Sequence, residues 1–199
     1  MKNLFLILLS LCLVLSCTGK PQAQASHAAT VAHEITAAEP TAEISFNFTR
    51  QSGSASNQYA IWIEDANGQY VKTLYASRWT ADGGYSRRPT SIPMWIQKSN
   101  RANMSREQVN AVSGATPRTE SVTYTWDGTD FNGAVVQAGD YTLILEGTLR
   151  WENQVYYRSP IALGGGITDS IVSVEYVSGD RDTTAERAMI SDVRVRVLR

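Results

Sequence analysis

The sequence predicts an all-β fold, two antiparallel sheets packed face to face, with one short helix in a long inter-strand loop. Three observations predict it. From residue 41 onward, apolar and polar residues alternate with a period of two. The alternating runs are separated by turns built from Gly, Asn and Asp. No segment carries a long apolar pattern of helical period. About seven to nine strands of this kind favour a sandwich.

The first 40 residues have a different character. Lys2 precedes an apolar run, Leu4 to Leu15, broken only by Ser10. That run is too short to span a bilayer and reads as the core of a signal peptide. Val14-Leu15-Ser16-Cys17 resembles a bacterial lipobox. The resemblance implies a signal peptide over 1–16, lipidation of Cys17, and a cell-envelope location facing the periplasm or exterior. The membrane is then a partner through the lipid anchor, and several acyl chains on one cysteine hold firmly. The alternative is ordinary secretion with a free Cys17. Residues 17–40 contain no aromatic residue and no periodicity, so they read as a tether, with His27 and His33 as solvated residues within it.

Residues 41–199 form the folded domain. All of the Cys and His residues (Cys12, Cys17, His27 and His33) precede it. That excludes Ser-His-Asp and Cys-His catalysis, disulfides and nearly every zinc site inside the domain. The charge balance, 18 Lys+Arg against 19 Asp+Glu, excludes a general nucleic-acid binder.

The strands follow in order. Ile44, Phe46 and Phe48 alternate with Glu43, Ser45 and Asn47. Tyr59, Ile61 and Ile63 alternate with Ala60 and Trp62. Asp65-Ala66-Asn67-Gly68 is turn chemistry, and Tyr70 to Leu74 returns as the hairpin partner. Val122, Tyr124 and Trp126 form the next run, then Tyr141, Leu143 and Leu145, which alternate with Thr142, Ile144 and Glu146. Val155 with Tyr157, Val172 to Tyr176, and Val193, Val195 and Val197 complete the series.

One helix is expected where Ser105-Arg106-Glu107-Gln108 has the spacing of a capping box. It lies in an excursion over about residues 77–119, long for a compact domain. Within it, seven basic residues face two acidic ones, a local excess of +5, interleaved with Trp79, Tyr85 and Trp95. Cations beside aromatic rings suit an anionic aromatic ligand. The competing reading is a solvated charged loop whose tryptophans plug the end of the sandwich.

Two motifs carry a resemblance. Trp126-Asp127-Gly128-Thr129-Asp130-Phe131-Asn132-Gly133, followed by Gly139-Asp140-Tyr141-Thr142-Leu143, resembles a pattern in the Ig-like domain of the flagellar hook-capping protein. It implies an Ig-like antiparallel β-sandwich. Physically, the motif reads as a hairpin with Asx turns at Asp127 and Asp130 and positive φ at Gly128 and Gly133. Calcium held by Asp127, Asp130 and Asn132 is the alternative.

Together with Ala60–Gly68, Val71–Leu74 and Val112–Arg118, this motif resembles a bacterial family of predicted periplasmic proteins, domain of unknown function 2271. That resemblance implies association with extracytoplasmic flavin and membrane redox components. Ser113-Gly114-Ala115-Thr116 resembles the tetrapeptide of flavin-carrying subunits, in which a flavin transferase joins FMN to the threonine hydroxyl. It implies a cofactor site of Thr116, Ser113 and Gly114, with Arg118 on the phosphate and Trp95 on the ring. The alternative is structural: Gly114 stops the helix at C′ and Thr116 opens the next strand.

The function expected from the sequence is a non-catalytic accessory or binding module of the cell envelope, associated with flavin and redox systems. Its expected partners are a membrane redox protein or a flavin transferase. The alternative is a carrier with FMN attached at Thr116.

Overall fold

The structure is a computed structural model that describes residues 41–52, 56–179 and 184–199. Its ten strands are β1 (Ala42–Phe48), β2 (Gln58–Asp65), β3 (Tyr70–Ser77), β4 (Ser113–Gly114), β5 (Glu120–Trp126), β6 (Gly139–Arg150), β7 (Asn153–Leu163), β8 (Thr168–Ser170), β9 (Ser173–Val177) and β10 (Ile190–Val197). Three short helices, α1 (Arg78–Ala81), α2 (Pro93–Lys98) and α3 (Arg106–Val112), lie between β3 and β4. The strands form a four-stranded sheet ordered β5-β1-β10-β8 and a six-stranded sheet ordered β4-β3-β2-β6-β7-β9. The all-β sandwich is therefore observed.

The alternation puts one set of side chains between the sheets. Ile44, Phe46 and Phe48 of β1 meet Tyr59, Ile61 and Ile63 of β2, with Leu143, Leu145, Val155 and Val195, all buried. The Asp65 turn forms as expected: Asp65 Oδ1 accepts the amides of Asn67 and Gln69, and Gly68 takes φ +73°. Ser105 caps α3 with the full capping box. Trp126 is fully buried, and its indole N–H donates to the carbonyl of Thr129. Tyr141 is only half-buried and packs edge-on against it.

Two expectations are corrected. The Trp126 motif does not join β5 and β6 as a hairpin, because these strands belong to opposite sheets; it closes only a single antiparallel bridge of its own, Thr129 with Val135. Its Asx turns and positive-φ glycines are present. They steer the chain across the sandwich, and the amide of Phe131 donates to the Val71 carbonyl at 2.8 Å on the way. The 77–119 excursion, expected to hold one helix and to lie free or plug an end, instead forms a third layer. Ala81, Ile92, Trp95, Met104 and Val109 pack on Ala60, Trp62, Ala76 and Ile144, the outer face of the six-stranded sheet.

Candidate functional site

The 113–118 segment follows α3 without a loop. Ser113 has extended dihedrals, φ −102° and ψ 137°, and β4 pairs in parallel with the end of β3, Ala76 with Ser113 and Ser77 with Gly114. Gly114 is therefore a strand residue and not the left-handed C′ stop. Its missing side chain serves a close approach instead. A Cβ there would lie 2.7 Å from the Tyr75 ring.

Tyr75 fixes this segment from below. Its hydroxyl donates to the carbonyls of Gly114 (3.1 Å) and Ala115 (3.0 Å). Its ring stacks on Tyr59 at 4.7 Å and lies 4.9 Å from Tyr124. Burial pushes all three phenols above their ordinary range, Tyr124 to about 12, so they stay neutral donors. Thr116 is half-buried, and its hydroxyl donates to the Asn57 carbonyl at 3.2 Å. The Ser113 hydroxyl is enclosed without a partner. Arg78 donates to the Ser113 carbonyl at 3.0 Å, and Arg118 is exposed.

Trp95 does not share this site. It is 0 % exposed in the second core, and its indole N–H donates to Thr73 at 2.9 Å. A ring enclosed on all sides has no face left for an isoalloxazine, so the expected stacking role of Trp95 is corrected. Cys17 lies outside the described residues.

The exposed aromatic ring of the excursion is Trp79, 44 % accessible, with the Arg88 guanidinium 5.0 Å from its centroid. Burial draws Arg88 below its ordinary value. Arg101 lies 5.7 Å from the Tyr85 centroid. A depression of about 280 Å³ beside Trp79 is lined by Arg78, Asp82, Ser86 and Arg87. Arg78 lines this depression and also donates to the Ser113 carbonyl, so the two adjoin. Lys98 is engaged elsewhere, by Glu64 at 3.1 Å and the Gly68 carbonyl at 2.8 Å.

Sequence reasoning missed Glu146. It is fully buried on the outer face of β6, where it accepts the amides of Met94 (3.1 Å) and Trp95 (2.7 Å) and the Tyr156 hydroxyl (3.2 Å). Desolvation dominates and pushes its carboxyl up to about 7. The signal was present: Ile144 and Trp62 are apolar residues at outward positions, which a solvated face does not favour.

Among the described residues, no group of three or more His, Cys, Asp or Glu is placed to hold a metal ion. Asp127 is instead engaged by Lys72 at 2.9 Å and by Thr129, contacts that hold its carboxyl below the usual range against the opposing effect of desolvation. No helix among the described residues is long and apolar enough to cross a membrane.

No curated protein and no solved structure gives a match to the chain. One family does, over residues 41–178, from β1 through β9. The stretch contains both Asx-turn motifs, the layered excursion and the Tyr75-braced segment, and it spans well over half of the chain. The chain therefore belongs to the family described as predicted periplasmic protein, DUF2271.

Proposed function

We propose that this protein is a non-catalytic binding module of the cell envelope, tethered by a lipid on Cys17. Its face around Trp79 engages a phosphate-bearing aromatic ligand of the flavin class, free or carried by a membrane redox partner. The observation that carries the reading is Trp79, which lines a depression with Arg78 and Arg87 and has the Arg88 guanidinium over its ring. An exposed ring offers a stacking face, and guanidinium groups beside it complement a phosphate. The +5 excess of the excursion in a chain of net charge −1 concentrates positive potential there.

The test is titration with FMN and riboflavin, followed by flavin fluorescence. FMN should bind tighter than riboflavin, and Trp79→Ala and Arg87→Ala should each weaken FMN binding. Equal affinity for both flavins, unchanged in both variants, refutes the reading. Incorporation of labelled fatty acid into the wild type and not into Cys17→Ser tests the anchor.

One observation favours a second reading, covalent FMN at Thr116. Ala115 is exposed and Arg78 donates to the Ser113 carbonyl, so the segment that carries Thr116 already holds one guanidinium suited to a phosphodiester. Attachment requires the Thr116 hydroxyl to leave the Asn57 carbonyl. Co-expression with a flavin transferase should then add the mass of FMN less one water, and Thr116→Ala should abolish the gain. An unchanged mass under conditions that label a known carrier rules attachment out.

A further inference from the structure

We infer a second binding site, distinct from the Trp79 face: a cleft that takes a neutral saccharide. The cleft measures about 500 Å³, within the range of small-ligand sites. Three separate pieces of the chain converge on it, the β2–β3 turn, the end of α2 and the loop joining β5 to β6. The Phe131 amide bonded to Val71 fixes that loop against β3.

The walls combine apolar rings with unspent polar atoms. Phe131 is 36 % exposed and meets Tyr70 edge-on at 6.2 Å, and Tyr141 lines the same cleft. Asp65 stands close enough to Tyr141 to help raise its hydroxyl, after the effect of burial. Asp65 and Asp130 each use Oδ1 to accept two backbone amides, at 2.8–2.9 Å. Their Oδ2 atoms have no protein partner among the described residues, so each carboxylate keeps an acceptor for a ligand. The exposed amide of Asn132 adds a donor and an acceptor.

This set selects a ligand class. The apolar face of a pyranose ring packs on an aromatic ring, while its hydroxyls donate to carboxylates and exchange hydrogen bonds with amides. An anion is disfavoured, because the cleft's one cation, Lys98, is already engaged by Glu64 and Gly68. An organic cation would use the carboxylates and rings but not the amide donor of Asn132.

The experiment titrates the full chain with cellobiose, maltose and N,N′-diacetylchitobiose, read by saturation-transfer NMR and calorimetry, with choline as the cationic probe. At least one disaccharide should bind, with ring-proton saturation. Asp130→Asn keeps the Oδ1 acceptor of the turn and should weaken binding at least tenfold with an unchanged melting temperature. Phe131→Ala should abolish the saturation transfer, and Trp79→Ala should leave it intact. Binding of none of the three disaccharides, binding unaffected by Asp130→Asn, or binding of choline in their place overturns the proposal. Loss of FMN binding without loss of saccharide binding separates this site from the Trp79 face.

Discussion

Glu146→Gln isolates the fully buried carboxylate that, among the described residues, ties α2 of the third layer to β6 of the sheet. In the unfolded chain this carboxyl titrates near 4.5, and in the fold at about 7. Because the folded value is the higher one, the native state holds the proton more tightly. The contribution to stability is complete below pH 4.5 and is lost as the pH rises through 7. A displacement of that size corresponds to about 3 kcal/mol at 1.36 kcal/mol per pH unit. Glutamine cannot titrate, so the variant lacks this dependence. Near pH 4.5 the neutral acid and the amide should give nearly equal stability, apart from the amide that Gln turns toward an N–H donor. By pH 8 the wild type should have fallen by about 3 kcal/mol relative to the variant. Urea unfolding of both proteins at half-unit steps from pH 4.5 to 8 reads this difference. Parallel stability curves refute the reasoning, as does a wild type that gains on the variant with rising pH. The first result would mean that the three donated hydrogen bonds balance desolvation, and the second that they outweigh it.

Three further outcomes follow from packing. Trp95→Ala should cost about 3–5 kcal/mol in chemical denaturation, because it empties the centre of the second core. A loss under about 1 kcal/mol would place that ring at the surface. Gly114→Ala should cost about 1–3 kcal/mol and release the Tyr75 hydroxyl, visible as a changed tyrosine emission or ultraviolet difference spectrum, since the new methyl meets the ring at 2.7 Å. Ending the chain at residue 178, where the family match stops, should abolish cooperative unfolding. It removes Met189, Ile190, Val195 and Val197 from the core, roughly 6–12 kcal/mol of burial against a typical stability of about 5–15 kcal/mol.

Strand identity was legible where one face is wet. Glu43, Ser45 and Asn47 mark the solvent side of β1, and the buried side follows from the period of two. Local devices were legible too, the Asp65 turn and the Ser105 capping box, because they are closed by residues within a few positions. Which sheet a strand joins was not. The Trp126 motif has the residues of a tight turn, and nothing in its own chemistry states that β6 pairs with β2 and not with β5. Trp95 was misassigned for a similar reason. Its neighbours are basic, yet Thr73 and Ala60, which enclose it, lie more than 20 positions away. At the candidate site, the Gly114 and Thr116 positions were visible as a motif, while their anchoring by Tyr75 and Asn57 depends on contacts that only the fold creates.

The four-stranded sheet has a consequence for timing. β10 lies between β1 and β8, and it pairs Ala42 with Val197 across the whole domain. A ribosome delivers β1 about 150 residues before its neighbour, so β1 can gain only β5 as a partner until residue 190 has emerged. Closing a loop of that length also makes the last pairing slow. Until then one edge of β1 stays without its ladder, so a nascent chain of this family carries an open strand edge through most of the synthesis of the domain.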